Sequence, residues 1–428
     1  MAIYRKLQDV LIRKILANPP AGLVLSGIVS SGKTTLIQEA LKSLAEKYQI
    51  FEYTGDDVQF RSQILANTRY FNEDIRSKTT KPALIFVDEV QKCEEIFDAI
   101  KYAFDHTKAA FIISGSNPAY LNSIAKKRLQ RRADFLELQP FSLPEILLHE
   151  GFIRNKDMQL FQNLLFESLD PSEIKLEVDS VAYFEKIIDR YLTIGGLPLA
   201  HLASSQRDSL LEIRKVVERG FELMNTSNES LSEVVKVELA LIHSREFTYK
   251  NIMNKTRIRR REVINKTIDE LINHGYLVLK KPVLFEEDRK SYLTVYSYID
   301  PGIVTYLSAQ TDLAQIRGSR IEGIAHTQIL SLLNQEPLKL ELSYYKPHTK
   351  DAQGKIKYLP GEIDFVIKKA NEYIPIEVKA TNQISQINTQ MMFQFLKLKR
   401  SRFGIILYGG LPYWDKGKEI LFFPYWLV

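Results

Sequence analysis

Short apolar segments alternate with helical repeats along the first 140 residues of the chain. The opening helix is indicated by Ile3, Leu7, Leu11 and Ile15, which recur at helical spacing and share one face. Apolar segments of strand length follow at residues 22–26, 49–53, 83–87, 109–114 and 134–138. Because strands that alternate with helices form parallel sheets, this pattern predicts an α/β domain over residues 1–140.

The hydrophobic pattern changes after residue 140. Residues 141–225 are predicted to be helical, and the polar segment 225–230 is the expected boundary. Residues 226–307 carry three helical repeats and then a hairpin, the order of a winged helix. Residues 308–428 are predicted to be a separate α+β domain, with a helix near 319–333 and strands at 340–346, 362–368, 373–379 and 403–407.

Composition excludes several classes of protein. The length of 428 residues suggests about three domains, and 45% hydrophobic with 26% charged residues is typical of a globular chain. The single cysteine, Cys93, excludes an intramolecular disulfide and a cysteine-based zinc finger. No apolar run reaches the length of a membrane span, and the first 16 residues lack the apolar centre of a signal peptide. We therefore expect a cytoplasmic protein without membrane contact.

Residues 27–34 fit the phosphate-loop pattern G-x-x-x-x-G-K-[ST] between a predicted strand and a predicted helix. The glycines let backbone N–H groups face a β-phosphate, and the helix that follows adds its positive dipole end. Lys33 is expected to reach the β- and γ-phosphates, and Thr34 to bind Mg²⁺. The alternative is an ordinary glycine-rich turn. The residues predicted to bind ATP are Gly27, Ile28, Val29, Ser30, Ser31, Gly32, Lys33, Thr34 and Thr35.

Polar residues end the two strands that follow the loop. Asp88 is expected to hold Mg²⁺ through water, and Glu89 to activate the attacking water as a general base. These two acids could instead cap a helix or face solvent. After the next strand, Asn117 is the first candidate for contacting the γ-phosphate, and Ser116 is the second. An ordinary turn has the same composition.

A basic segment precedes the last helix of the predicted winged helix. Its arginines are Arg257, Arg259, Arg260 and Arg261. A recognition helix that opens with arginines can enter a DNA groove or contact phosphates, so DNA is the first expected partner. Winged helices of ATPases also dock proteins, and a solvated basic surface is the third alternative.

Two carboxylates and a lysine fall on neighbouring predicted strands near the end of the chain. Glu377 and Lys379 are two residues apart and therefore face the same side of a strand, and Asp364 can lie beside Glu377 on the partner strand. Paired carboxylates form a hard oxygen site for Mg²⁺ or Mn²⁺, and Lys379 can orient a metal-bound water. The alternative is a cross-strand ion pair.

The order of these segments resembles a prokaryotic family of AAA-type ATPases. The similar segments are GIVSSGKTTL, LIFVDEVQK, FIISGSNPAYL and LQRRADFLELQPFSLPEI, with Gly195-Gly196-Leu197-Pro198 in the middle of the chain. The resemblance covers the whole chain. It implies an ATPase domain, a helical lid at 141–225, a winged helix at 226–307 and a restriction-endonuclease-like domain at 308–428.

The resemblance also implies roles for individual residues. Aligned on Pro140, Arg132 matches an arginine finger that acts across a subunit interface, which implies a homo-oligomer. Arg131 stands where the family has glycine, and this departure leaves Arg128 and Arg131 as rivals.

At the other end of the chain, Asp364, Glu377 and Lys379 match the PD-(D/E)xK nuclease motif. Glu322 matches the acidic residue of the helix that precedes this motif in many such nucleases, where it binds metal. Pro360 stands four residues before Asp364 rather than next to it, which weakens the match.

Two functions follow from these features. The first is an ATPase that controls a metal-dependent nuclease, with genome defence as one setting. The second is a regulatory or assembly ATPase whose winged helix and C-terminal domain bind without catalysis. A C-terminal domain that binds metal but is catalytically idle is a third alternative.

Overall fold

The computed structural model describes residues 3–17, 22–78, 81–107, 109–167, 169–178, 180–224, 229–283, 294–335, 340–350, 356–370, 372–399 and 401–428. Residues 225–228 of the predicted linker and 291–293 of the predicted hairpin lie outside the described residues. Among the helices that the structure describes, none combines the length and apolar character that crossing a membrane requires.

The first part of the chain is an α/β domain whose strands lie where the apolar segments predict them. Its elements are α1 (Lys6–Leu16), β1 (Gly22–Ser26), α2 (Lys33–Leu44), β2 (Gln49–Thr54), α3 (Val58–Ala66), α4 (Tyr70–Lys78), β3 (Ala83–Asp88), α5 (Glu95–Thr107), β4 (Ala110–Gly115), α6 (Pro118–Leu129) and β5 (Ala133–Glu137). Within the described residues, the five strands form a parallel sheet in the order β2-β3-β4-β1-β5. The predicted α/β fold is confirmed.

Both faces of this sheet are covered by helices. Leu11 of α1 and Ile37 of α2 pack in the apolar cluster on one face, whereas Phe97 of α5 and Leu121 of α6 pack in the cluster on the other. Parallel sheets are stable only when both faces are buried in this way. Solvent therefore reaches the strands at their ends, and the loops after β1, β3 and β4 meet at the carboxyl edge.

A helical region and a winged helix follow. Their elements are α7 (Leu143–His149), α8 (Leu160–Phe166), α9 (Glu185–Ile194), α10 (Pro198–His201), α11 (Gln206–Glu222), α12 (Glu229–Leu241), β6 (Glu246–Phe247), α13 (Tyr249–Thr256), α14 (Arg261–Asn273), β7 (Leu277–Pro282), β8 (Thr294–Tyr298) and α15 (Pro301–Ser308). The antiparallel pair β7 and β8 is the predicted hairpin, and it comes directly after the predicted third helix, α14.

The last part of the chain begins with a long helix and continues as a mixed sheet. Its elements are α16 (Leu313–Gln335), β9 (Glu341–Tyr345), β10 (His348–Lys350), β11 (Ile356–Tyr358), β12 (Ile363–Lys369), β13 (Glu372–Val378), α17 (Gln390–Lys399), β14 (Gly404–Tyr408), β15 (Tyr413–Asp415) and β16 (Ile420–Pro424). The sequence analysis did not predict β15 or β16, although residues 420–423 are uniformly apolar.

The winged helix and the last part of the chain share one sheet. β7 pairs in parallel with β9, with Lys281 opposite Ser343. In the described residues this gives nine strands in the order β15-β16-β14-β13-β12-β9-β7-β8-β6. The predicted division between residues 307 and 308 therefore falls between elements that contribute to the same sheet.

The predicted helical region also packs in two directions. Phe161 of α8 and Phe184 before α9 lie with Phe423 and Trp426 in one buried cluster, with ring centroids 5.3 Å and 5.0 Å apart. Val216 of α11 lies instead with the winged-helix core. The helices between residues 141 and 224 thus contact both the last part of the chain and the winged helix.

Buried Asp300 fixes the segment Gly195-Gly196-Leu197-Pro198. Its carboxylate accepts hydrogen bonds from the backbone N–H of Gly196 (2.7 Å) and of Gly302 (2.8 Å), and no part of Asp300 is exposed. A Cβ at Gly195 would lie 2.0 Å from the Asp300 carboxylate, so this position, with φ +75°, requires glycine. Burial raises the pKa of Asp300 to about 6.

Replacing Asp300 by Ala should lower the free energy of unfolding by about 2–3 kcal/mol, because it removes a helix cap and leaves the Gly196 N–H buried without an acceptor. The pKa of Asp300 exceeds the ~3.9 of an unfolded Asp, so the stabilisation is greatest below about pH 4 and falls as pH rises to 6. Urea denaturation at pH 4.5 and 7 measures both effects. Asp312→Ala, which removes an exposed cap of α16, is the control and should cost no more than about 1 kcal/mol. Equal losses for the two variants would contradict the assignment.

Candidate functional site

The phosphate loop joins the buried strand β1 to helix α2. A Cβ on Gly27 would lie 2.5 Å from the Leu138 carbonyl oxygen, which explains the need for glycine there. Gly32, with φ +92°, turns the chain into α2. The Lys33 ammonium donates to the carbonyl oxygens of Gly27 (3.0 Å) and Ile28 (2.9 Å), and burial lowers the pKa of Lys33 to about 8. The loop thus holds one cation beside its backbone.

Asp88 accepts hydrogen bonds from a hydroxyl group at the start of helix α2 and from another near the end of strand β4. Thr34 Oγ1 donates to one Asp88 oxygen (2.7 Å), and Ser114 Oγ donates to the other (2.5 Å). The predicted Mg²⁺ residues Thr34 and Asp88 are therefore in direct contact. Hydroxyl and carboxylate oxygens are hard donors, and this pair fits Mg²⁺.

Glu89 lies next to the end of strand β4. Its backbone is left-handed, with φ 49°, and this conformation turns the chain away from β3. Its carboxylate accepts hydrogen bonds from Gln91 and from the Ser116 hydroxyl, the latter at 3.4 Å. The structure therefore brings Glu89 and Ser116 together, and it adds Gln91, for which the sequence offered no motif.

Asn117 precedes helix α6 as its N-cap residue. Its side-chain oxygen accepts a hydrogen bond from the Tyr120 N–H (3.1 Å), so it caps this helix. Its amide nitrogen lies 3.4 Å from Nε2 of His274, at the end of α14. The residue thus has a structural role and also lies at the cavity beside the phosphate loop.

A cavity of about 570 Å³ lies over the phosphate loop. Its predicted lining residues are Val29, Ser30, Gly32, Lys33, Thr34, Thr35, Glu89, Ser116 and Asn117. Residues that the sequence analysis did not predict close the other side, among them Pro198, Leu199, Arg219, Leu223 and His274. They come from α10, α11 and the end of α14, far along the chain. Of these residues, only Pro198 belongs to a motif that the sequence analysis singled out, the segment Gly195-Gly196-Leu197-Pro198.

Arg132, the first arginine-finger candidate, lies at the opposite edge of the first sheet. Ala133, the residue after Arg132, is opposite Gly22, which is the first residue of β1. The phosphate loop follows the last residue of β1, at the other end of the strand. A strand of five residues separates the two edges by about 16 Å. Arg132 pairs with both oxygens of Asp105 (2.7 and 2.9 Å), Arg128 pairs with Glu94 and Asp98, and Arg131 is exposed.

The predicted nucleic-acid arginines form an exposed corner between α13 and α14. Arg257 ends α13 in a left-handed conformation with φ 58°, and Arg260 precedes the first residue of α14. Arg257, Arg259, Arg260 and Arg261 are all exposed. The corner is therefore a positively charged, accessible surface.

The C-terminal carboxylates lie on the β12–β13 hairpin, as predicted. Asp364 accepts a hydrogen bond from the Val378 N–H (2.6 Å), and the Lys379 ammonium lies 2.5 Å from one oxygen of Glu377. Glu377 is 6% exposed, and its other oxygen is buried without a donor. Burial raises the pKa of Glu377. A cavity of about 730 Å³ borders Asp364, Glu377 and Lys379.

Lys280 of the winged-helix hairpin enters this cluster, and the sequence analysis missed it. Its ammonium contacts a Glu322 oxygen (2.9 Å) and the Asp364 carbonyl oxygen (2.8 Å), and Lys280 is 2% exposed. Burial raises the pKa of Glu322 to about 7, against the opposing effect of Lys280. Glu322 is thus already paired with a lysine of the same chain.

The predicted metal set of Glu322, Asp364 and Glu377 stays a prediction. In the part of the chain that the structure describes, no group of three or more His, Cys, Asp or Glu side chains is arranged to hold a metal ion. Glu322, Asp364 and Glu377 all border the same cavity, and Glu322 is paired with Lys280.

Two segments of the chain match known families. Residues 20–147 match an AAA domain, and residues 317–427 match a domain of unknown function, DUF4143. No curated protein matches the chain in sequence. The first part of the chain thus has an AAA-type P-loop fold and is similar to an AAA domain, and the last part is similar to a domain of unknown function.

Solved structures with some similarity include a DNA replication initiation factor, at 16% identity over 72% of this chain and 93% of that one, with a TM-score of 0.25. A RuvB variant from Thermotoga maritima is 15% identical over 66% of this chain and 91% of its own, with a TM-score of 0.30. Domain III of the replication initiation protein DnaA from Thermotoga maritima is 15% identical over 50% of this chain and 95% of its own, with a TM-score of 0.28. Similarities this low assign no function to this chain.

Replacing Lys280 by Met should lower the free energy of unfolding by about 2–4 kcal/mol, because Glu322, whose side chain is 21% exposed, then lacks its partner. Adding Glu322→Gln should recover part of that loss, and a double-mutant cycle from urea denaturation measures the coupling. Lys281→Met, on the exposed next residue of the same strand, is the control and should have little effect. Additive losses for the Lys280 and Glu322 variants would show that the pair does not interact.

Proposed function

We propose that this protein binds and hydrolyses ATP with Mg²⁺. The observation that carries the proposal is that Lys33, Thr34 and Glu89 line one cavity on the carboxyl edge of the first sheet, where Thr34 also donates a hydrogen bond to Asp88. The phosphate loop and Lys33 bind the β- and γ-phosphates, and Thr34 and Asp88 hold the Mg²⁺. Bound Mg²⁺ neutralises phosphate charge. Glu89 accepts the proton of the attacking water.

Residues beyond the phosphate loop complete the proposed site. Asn117 and Ser116 border the cavity near Glu89 and are suited to contact the γ-phosphate and the water. Arg219 adds a further cation from α11. Leu199 and Leu223 are 57% and 54% exposed and line the same cavity, so they supply an apolar surface for the adenine base.

Arg132 is proposed to act on the nucleotide of a neighbouring copy in a homo-oligomer. The support is its place at the edge of the sheet opposite its own phosphate loop, from which it cannot reach its own cavity. Asp105 holds the guanidinium with two hydrogen bonds and so fixes the direction in which it points. Arg131, which is exposed, remains its rival.

Replacing Glu89 by Gln should leave ATP binding intact and lower turnover by roughly 10²–10⁴, the usual contribution of a general base. Replacing Lys33 by Ala should instead weaken nucleotide binding, because the phosphates lose their fixed cation. Phosphate release and fluorescent-nucleotide titration separate the two effects. The control is Glu46→Gln, an exposed glutamate outside the cavity, which should behave as wild type. Wild-type turnover in the Glu89 variant would refute its role.

A second candidate function is metal-dependent cleavage of DNA by the last part of the chain. The observation that favours it is the buried, unpartnered oxygen of Glu377, which borders the same cavity as Asp364 and Lys379. Asp364 and Glu377 would hold Mg²⁺ or Mn²⁺, and Lys379 would offset phosphate charge. The arginine corner at Arg257–Arg261 would hold the duplex through its phosphates. Genome defence is one setting for such an enzyme.

The competing proposal is a regulatory or assembly ATPase. In that case the pairing of Glu322 with Lys280 and of Glu377 with Lys379 is purely structural. The last part of the chain would then be a binding module, with or without a bound metal ion. The winged helix would dock a protein or DNA without any cleavage.

The two proposals differ in the effect of Lys379→Ala on labelled duplex DNA with Mg²⁺, Mn²⁺ or EDTA, and with or without ATP. Nuclease action predicts metal-dependent cleavage by the wild type and none by the variant, because the phosphate loses a cation. Lys418→Ala, a surface lysine paired with Asp415, should cleave as wild type. Cleavage that persists in Lys379→Ala would indicate a contaminant. Salt-sensitive DNA binding without cleavage would favour the regulatory ATPase.

A further inference from the structure

His274 brings the winged helix into the proposed ATP cavity. It follows the last residue of α14, is 6% exposed and lines the cavity together with Lys33 and Glu89. Of the described polar side chains that line this cavity, it is the one contributed by the winged helix. The proposed hydrolysis mechanism gives it no role.

The contact between His274 and Asn117 has a defined direction. The Asn117 side-chain oxygen already accepts from the Tyr120 N–H, so its amide NH₂ group faces Nε2 of His274 at 3.4 Å. Nε2 accepts this hydrogen bond when the imidazole is neutral and carries its proton on Nδ1, and a carboxylate oxygen of Glu270 faces the same nitrogen. Burial lowers the pKa of His274 and so favours the neutral ring, although Glu270, 3.5 Å away, acts in the opposite direction.

The end of α14 is seated closely on the first domain. Gly275, with φ +79°, leaves room for Ile28 of the phosphate loop and for Pro118, the first residue of α6. A Cβ at this position would lie 3.2 Å from each of these side chains. The position of His274 is therefore fixed relative to both the phosphate loop and Asn117.

Helix α14 also connects this contact to the arginine corner. It runs for 13 residues, about 20 Å, from Arg261 to Asn273. The residue that contacts Asn117 thus lies just past one end of a single helix, and the exposed arginines lie at the other end. A displacement of α14 would move His274 relative to Asn117.

We propose that His274 is a positioning residue for ATP hydrolysis that acts through Asn117. By accepting from its amide, His274 holds the Asn117 side chain at the γ-phosphate side of the cavity. The catalytic geometry is then complete only while the winged helix is docked. This inference rests on the proposed ATPase function.

The test is a double-mutant cycle on the full chain with His274→Ala, Asn117→Ala and the double variant, measuring kcat and KM for ATP. Loss of one hydrogen bond, worth about 1 kcal/mol, should lower kcat about fivefold in His274→Ala. KM and the affinity for a fluorescent ATP analogue should stay within about twofold. The double variant should have the same kcat as Asn117→Ala, because His274 acts only through that residue.

Two further variants separate positioning from folding. In His274→Gln the amide oxygen occupies nearly the place of Nε2 and can accept from Asn117, so most of the lost kcat should return. Asn273→Ala, at the neighbouring exposed position, should match wild type. If His274→Ala is unfolded in urea denaturation, kcat is compared for His274→Gln with and without Asn117→Ala. Any loss of kcat caused by His274→Gln should then disappear in the Asn117→Ala background.

The outcomes are distinct. A fall in kcat by the same factor with and without Asn117 would overturn the inference, as would a change in KM alone or an unchanged kcat. If wild type binds ATP but does not hydrolyse it, the proposed ATPase function fails first, and with it the ground for this inference. Rescue by His274→Gln together with a non-additive cycle would support it.

Discussion

The burial of β1 at the interior of a parallel sheet is the constraint on which the arrangement of the molecule depends. β1 has β4 and β5 as neighbours and is buried along its whole length, so helices must cover both faces. Polar chemistry is then confined to the ends of the strands. Gly27 can follow β1 only because it has no side chain to strike Leu138. The phosphate loop therefore lies at the edge of the sheet where the loops after β3 and β4 also begin.

The rest of the chain packs around that edge and does not form independent domains. Asp300, in the winged-helix region, binds the backbone of Gly196 and so places Pro198 and Leu199 over the phosphate loop. His274 reaches the same cavity from the end of α14. These contacts place the winged helix at the proposed nucleotide site. Helix α14 connects this cavity to the exposed arginines.

A second connection runs from the winged helix to the last part of the chain. The parallel pairing of β7 with β9 joins their strands in one sheet, and Lys280 crosses from β7 to the carboxylates near Asp364. A buried lysine in an acidic cluster replaces the positive charge that a metal ion would supply. The role of Glu322 and Asp364, structural or catalytic, therefore depends on Lys280, which belongs to the winged helix.

The sequence by itself determined the local features. Spacing of apolar residues places the strands of the first sheet, and the fixed positions of the phosphate loop need only neighbours in the chain. Register also follows from local pattern, because Asp364 and Glu377 lie on a hairpin with a short turn. Tertiary structure alone decided which distant residues meet these sites: Arg219, His274 and Lys280 are surrounded by ordinary helical or strand sequence. Their roles arise from packing between segments far apart in the chain. The hydrophobic pattern of one segment does not specify which other segment that segment will contact.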